Sequence, residues 1–294
     1  MRVQCPTKSI KCTEPGNIVG YGKYYRKSDR KIIQRYKCTH CLKHFSSATY
    51  ADEVHQNKRH LNNSILKQLI SGVSQRRIAR LFGIHMLTVS RKLKFLAEKI
   101  RAENFKQRSE HTKIIELQFD DLETFEHTKM KPLSITLAVE KHTRYIVGFE
   151  VSRMPAKGLL AKKAVKKYGY RKDERKEARE RLFRRIIKIV SKTCLIESDE
   201  NPHYPESVKA YFPSSQHETF KGKRGCVTGQ GELKATSWDP LFSLNHTCAM
   251  LRANINRLFR KTWCTTKKLQ PLIDHIELYV WYHNNVLIKD PSTK

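Results

Sequence analysis

Two stretches decide the fold of this chain: Ile115-Glu116-Leu117-Gln118-Phe119-Asp120 and Thr193-Cys194-Leu195-Ile196-Glu197-Ser198-Asp199. In the first, apolar Ile115, Leu117 and Phe119 alternate with Glu116, Gln118 and Asp120, the period of a strand with one buried and one polar face. The second reads as a short buried strand that ends in an acid where the chain leaves for a loop. Residues 134–139 and 144–151 lie between them, are rich in β-formers and are joined by Glu140-Lys141-His142-Thr143, a turn of hairpin length. A charged helical stretch over roughly 158–190 follows, with Leu182, Phe183, Ile186, Ile187 and Val190 as its buried stripe and dense Lys and Arg on its other face.

Three antiparallel strands, a helix and a parallel strand ending in Asp make up the skeleton of an RNase H-like fold. In that arrangement Asp120 and Asp199 meet at neighbouring strands, where paired carboxylates hold hard divalent cations for phosphoryl transfer. Asp121 points to the opposite side of its strand, and a register shift of one residue would exchange it with Asp120. A third oxygen ligand in such clefts comes from a later helix. Trp238-Asp239-Pro240 opens one, with Asp239 as cap and Pro240 in the first turn, and Asn245, Cys248 or Ala249, and Arg252 share a face of it. Glu218 and Glu232 are the other acids in reach of that role. Residues 216–220 and the Gly-rich run 221–231 suit a last strand and a DNA-facing loop, with His217 either a phosphate or proton-transfer group or a structural one.

The front of the chain reads differently. Cys38-Thr39-His40-Cys41 is a CxxC knuckle, and Cys5 and Cys12 form a looser pair. Four thiolates satisfy tetrahedral Zn²⁺, and two short pairs separated by a hairpin over 24–36 form a zinc ribbon, with His40 or His44 as alternatives to Cys12. From Asn63 onward apolar residues fall at three- and four-residue steps: Ile65, Leu69 and Ile70, then Ile78, Leu81 and Phe82, then Val89, Leu93 and Leu96. Ser74 suits a helix cap, and Gly83 a left-handed turn between two helices, the pattern of a helix-turn-helix. A reader helix over roughly 85–98 would expose His85, Thr88, Arg91, Lys92 and Lys94 to base edges and phosphates; the alternative is a three-helix bundle with a solvated basic face.

Composition agrees with a polyanionic partner. Lys and Arg number 58 against 28 Asp and Glu, a net charge of +30, and twelve Tyr, twelve Phe and three Trp argue for folded modules over a basic tail. The first residues lack the apolar core of a signal peptide and no apolar run approaches the roughly 18 residues of a membrane span, which places the protein in the cytoplasm with its eight cysteines reduced or metal-bound. Arg260-Lys261, Thr265-Thr266 and Lys267-Lys268 are phosphate partners around a helix start, beside Trp263, and residues 273–282 form a core-facing final helix.

The combination of ribbon, helix-turn-helix, the strands "FDD" and "ESDENPHY", and "LNHTCAMLRANINRLFRKTWCTTKKL" resembles bacterial insertion-sequence transposases of the type named after insertion sequence one, in the DDE superfamily. The resemblance covers nearly the whole chain. It implies an α+β multidomain protein: a zinc ribbon over 1–50, a helix-turn-helix DNA-binding domain over 60–108 and an RNase H-like α/β catalytic domain over 112–290. It also implies Mg²⁺ or Mn²⁺ at Asp120, Asp199 and Asn245, with Arg252 as the basic residue two turns beyond the third ligand. Asn245 departs from the family, which has Glu there. The partners implied are double-stranded DNA, as element ends and target, and further copies of the chain; the alternative is a non-catalytic DNA-binding regulator descended from such an enzyme.

Overall fold

Backbone pairing builds two sheets, one of three strands and one of five. The computed structural model describes residues 3–7, 10–12, 14, 16–54, 56–221, 239–259 and 261–289; residues 222–231 of the Gly-rich run, Glu232, Trp238 and Arg260 lie outside the described residues. The chain is an α+β protein that divides into two compact units, Met1–Ile65 and Leu66–Lys294.

In the first unit β1 (Ile18–Arg26), β2 (Lys31–Cys38) and β3 (His44–Ser46) form an antiparallel sheet in that order. Arg26 and Lys31 close the β1–β2 hairpin, and the Arg26 guanidinium grips the Asp29 carboxylate across the turn. The unit buries little apolar surface. Its core is Phe45 with Cys5, Cys12 and Cys38, too small to offset the conformational entropy of ordering the chain without a further cross-link.

Three helices open the second unit: α1 (Asn62–Leu69), which begins in the first, α2 (Gln75–Leu81) and α3 (Met86–Glu110). Ser74 caps α2 by accepting the Arg77 N–H, and Gly83 turns the chain at φ +58°. Leu81 is 63% exposed, so Ile78 and Ala79 alone carry the buried face of α2. The third helix runs a dozen residues past its expected end. Its buried stripe of Val89, Leu93, Leu96 and Ala97 continues through Ile100 and Asn104, and its distal half docks on α8 (Leu269–Tyr282), where Arg101 meets Asp274 at 3.0 Å and Asn104 donates to Glu277.

The second sheet is mixed, ordered β6-β5-β4-β7-β8. Strands β4 (Ile114–Phe125), β5 (Pro132–Glu140) and β6 (Ile146–Arg153) are antiparallel neighbours, and β7 (Val190–Asp199) and β8 (Gln216–Phe220) continue parallel to β4. Helices α4 (Leu160–Tyr168) and α5 (Arg175–Ile186) follow β6, α6 (Tyr204–Tyr211) follows β7, and α7 (Phe242–Asn254) precedes α8. The stretch expected as one helix over 158–190 is two, split at Gly169 with φ +76°, and Val190 is the first residue of β7. Period-2 alternation sorts the strands onto two cores. Leu117, Phe119, Ala138, Val147 and Ile196 meet Leu182, Phe183 and Ile186 of α5, while Leu122, Ile135, Leu137 and Val139 meet α7 and α8. A Cβ at Gly148 would stand 2.8 Å from Leu182 Cδ1, so this glycine lets α5 lie close on β6.

Candidate functional site

The sulfurs of Cys5, Cys12, Cys38 and Cys41 all lie within 4.8 Å of one another, with Cys5 and Cys41 at 3.5 Å. Tetrahedral zinc with Zn–S bonds of about 2.3 Å sets sulfurs about 3.8 Å apart, so the four fit that ion. Among the described residues neither His40 nor His44 joins the group, which settles the fourth member as Cys12. Local chain geometry builds the set: Cys38 ends β2, its N–H bonds to the Lys43 carbonyl to form the knuckle that carries Cys41, and Cys12 ends a short 3-10 turn. Burial and the neighbouring sulfurs push the Cys12 thiol up to about 12, while the Thr7 hydroxyl and a backbone N–H pull Cys41 down to about 6.

The residues expected to read DNA do not share one environment. His85 is the N-cap of α3, its Nδ1 accepting the Leu87 N–H at 3.2 Å while the ring stays exposed. Arg91 and Lys94 are exposed, Lys94 beside Glu98 at 3.8 Å, and Thr88 is half-buried. Lys92 corrects the expectation: it is 2% exposed. Three residues past Val89 and one before Leu93, it falls at the edge of the buried stripe of α3.

On the second sheet, β4 and β7 pair through Leu117↔Ile196 and Gln118↔Glu197. Two residues further along each strand stand Asp120 and Asp199, on the same face, the one covered by α7. Asp121 is on the opposite face, where it accepts from the Thr136 hydroxyl at 2.5 Å. Burial first and the charge of Asp199 second push the Asp120 carboxyl up to about 6, despite hydrogen bonds from the Asp121 N–H at 2.6 Å and the Tyr204 hydroxyl at 3.0 Å. The Tyr204 hydroxyl is itself held protonated by burial and by Asp121, Asp120 and Asp199. Asp199 Oδ1 accepts the Asn201 N–H at 3.1 Å as the chain turns toward α6. Two carboxylates that repel each other, one of them desolvated, form an acceptor pair suited to a hard cation.

The start of α7 is pinned to this face by a residue to which the sequence pattern assigned no role. Gln118 donates to Glu197 Oε2 at 2.7 Å and to the Pro240 carbonyl at 2.8 Å, and accepts the Leu244 N–H at 3.0 Å. Glu197, 2% exposed, is paired to Lys141 at 2.6 Å. Gln118 and Glu197 precede Asp120 and Asp199 by the strand period of two, which puts each on the same face as that acid. The expected cap at Asp239 does not form: α7 starts at Phe242, with Leu241 as its N-cap and no side-chain cap bond, because the chain first makes a turn in which Asp239 accepts the Leu241 N–H. Asn245, one turn in, donates its amide to Asp239 Oδ2 at 3.0 Å. Arg252 lies two turns further along the helix, half-buried. His217 is on the other face, its Nε2 2.9 Å from the Ser198 hydroxyl and its ring stacked on Phe119, which makes it structural. Glu218 pairs in register with Glu197 and not with Asp199.

No family model matches this sequence, and no curated protein matches it. The geometry therefore stands by itself: a cluster of four cysteines in one unit, and in the other a carboxylate pair beneath a helix that carries Asn245 and Arg252. No helix among the described residues is long and apolar enough to cross a membrane.

Proposed function

We propose that the protein is a DDE-type transposase, which binds the ends of an insertion element and cleaves and joins DNA with Mg²⁺ or Mn²⁺. The observation that carries this reading is the placement of Asp120 and Asp199 on one face of adjacent parallel strands, close enough for Asp199 to raise the Asp120 carboxyl. Support also comes from the strand order β6-β5-β4-β7-β8, with three antiparallel strands followed by two parallel ones, which is that of RNase H-like folds. The charge of +30, the four-cysteine ribbon and the α2–Gly83–α3 turn fit a DNA partner.

In this reading Asp120, Asp199 and the carbonyl oxygen of Asn245 hold the divalent ions. Such ions generate the nucleophile and stabilise the leaving oxygen of an in-line displacement. The chain's own residues then have these tasks. Tyr204 fixes the rotamer of Asp120 by its hydrogen bond, Gln118 holds the start of α7 against β4, and Arg252 contacts the scissile phosphate. Zinc at the four cysteines folds the ribbon, and the exposed His85, Arg91 and Lys94 with Thr88 face DNA; active complexes bridge two element ends through several copies of the chain. This activity belongs in the cytoplasm, at the nucleoid.

One observation favours a second reading. The third position is a neutral amide already engaged with Asp239, which suits a DNA-binding regulator that has lost metal affinity. A supercoiled plasmid carrying the coding region and its flanks separates the two. Metal-dependent nicks at the flank boundaries, abolished in Asp199→Asn while salt-sensitive DNA binding persists, are expected of the enzyme. DNA binding without nicks in the wild-type protein would establish the regulator.

A further inference from the structure

The basic residues of the second unit fall into two classes. Along α5 the exposed ones are neutralised: Arg184 meets Glu180, Lys176 meets Glu206, and Arg181 and Arg185 meet Glu150. Along α4 they are not. Lys162, Lys163, Lys166 and Lys167 are all exposed, and none has an acidic partner among the described residues. At 100° per residue the four occupy about 140° of arc, opposite the Ala161 and Ala164 side that faces the protein. Two like-charged pairs at i,i+4, Lys162–Lys166 and Lys163–Lys167, destabilise an isolated helix. A helix kept in that form is suited to a dense array of negative charge that offsets the repulsion.

Its position supplies the rest. β6 and β4 run in the same direction, both antiparallel to β5, so α4 leaves the sheet at the end where β4 continues beyond Asp120 and β7 stops at Asp199. The β4–β5 hairpin stands at that end too. Its Lys131 ammonium lies 4.4 Å from the centre of the Tyr168 ring, which α4 presents, and Lys167 lies 5.5 Å from the same ring. On its other side the hairpin is tied to the 266–268 segment: the His127 N–H bonds to the Thr266 carbonyl, and Lys267 meets His127 Nδ1 at 3.0 Å. The hairpin thus joins α4 and the Lys267 segment into one continuous basic rim.

We propose that α4 and the β4–β5 hairpin form a sequence-independent phosphate track for duplex DNA, separate from the α2–α3 turn, that leads the strand to Asp120 and Asp199. Duplex DNA presents about one charge per 1.7 Å of axis, and contacts of this kind position a strand without reading it. The destination rests on the transposase reading; the track itself rests on the lysines.

The test is the quadruple variant Lys162→Gln, Lys163→Gln, Lys166→Gln, Lys167→Gln in the full chain, with binding to a short duplex of unrelated sequence followed by fluorescence anisotropy over a salt series. Each phosphate contact contributes about 0.9 to the slope of log K against log salt, so the slope should fall by about 3 to 4. An unchanged circular dichroism spectrum and a melting temperature no lower than wild type would show that the fold is kept, and the Lys→Arg version should restore the slope. A slope equal to wild type overturns the track. So does a variant that keeps its DNA slope while losing adhesion to phosphatidylserine vesicles, since the surface would then serve a membrane. If the slope falls as expected but the wild-type protein makes no nicks in the plasmid assay, the track stands and the transposase reading falls.

Discussion

Asn245 donates its side-chain amide to Asp239 Oδ2 at 3.0 Å, and the other oxygen of the same carboxylate accepts the Leu241 N–H at 3.1 Å. A carboxylate accepts only, so the contact fixes which end of the Asn245 amide faces Asp239 and leaves its carbonyl oxygen directed elsewhere. One residue therefore holds the turn that leads into α7 and sets the orientation of an amide in its first turn.

Asp239→Ala removes both interactions. Losing the two hydrogen bonds is expected to cost about 1 to 3 kcal/mol, read as a lower urea midpoint at unchanged m-value. Asp239→Asn keeps an acceptor for Leu241 but allows the Asn245 amide to flip. Its stability should stay near wild type while Mn²⁺ binding, measured by calorimetry, weakens. Equal Mn²⁺ affinity in wild type and Asp239→Asn would show that Asn245 takes no part in holding the ion.

A buried acid gives the second prediction. Glu197 is 2% exposed and is held by Lys141 at 2.6 Å and Gln118 at 2.7 Å. Lys141→Met leaves that carboxylate without its cation, and breaking a buried pair from one side costs about 3 to 5 kcal/mol. Since Lys141 is itself partly exposed, the lower end is expected. Glu197→Gln in the Lys141→Met background should recover most of the loss; chemical denaturation of the four members of the cycle measures it, and additive losses would refute the coupling.

The sequence made the strands of the larger sheet legible because burial on one face writes itself as alternation, and the same alternation put Asp120 and Asp121 on opposite faces. It left Gln118 and Glu197 without a role because two polar residues at strand positions look like any solvated pair; their burial is created by α7, whose start depends on Gln118. Lys92 failed for a related reason. It stands at the edge of the stripe of Val89, Leu93 and Leu96, three residues past the first and one before the second, and its charge argued for exposure where its position on the helix argued for burial. In the first unit the spacing of Cys38 and Cys41 was strong enough alone, whereas Cys12 needed three dimensions to be chosen over His40 and His44.

Removal of zinc is the third prediction. The sulfurs fit one tetrahedral ion, and among the described residues the cluster around them adds Phe45 and its neighbours, so the purified protein should carry about one zinc per chain by elemental analysis. Cys38→Ser or a strong chelator should unfold residues 18–46, seen as fast amide exchange in β1 to β3, with protection of β4 and β7 retained. Unchanged protection in the β1–β3 sheet after zinc removal would show that it folds without metal.

The last prediction concerns acid. His275 is fully enclosed between α8 and the end of α1, one ring nitrogen bonded to the Leu69 carbonyl at 2.8 Å and Nδ1 without a hydrogen-bond partner. Burial, against the pull of the Leu69 carbonyl, lowers its pKa to about 4 from an unfolded value near 6.5. Between those values the unfolded chain binds a proton that the folded one refuses. Stability from this group is thus present above about pH 6.5 and is lost as pH falls toward 4, by at most about 3 kcal/mol. His275→Gln, which keeps a donor for the Leu69 carbonyl, should flatten that part of the curve of melting temperature against pH and leave the region above pH 7 within about 1 kcal/mol of wild type. An acid limb unchanged by the substitution would assign it to His283, which burial likewise lowers to about 4 beneath the Arg144 carbonyl.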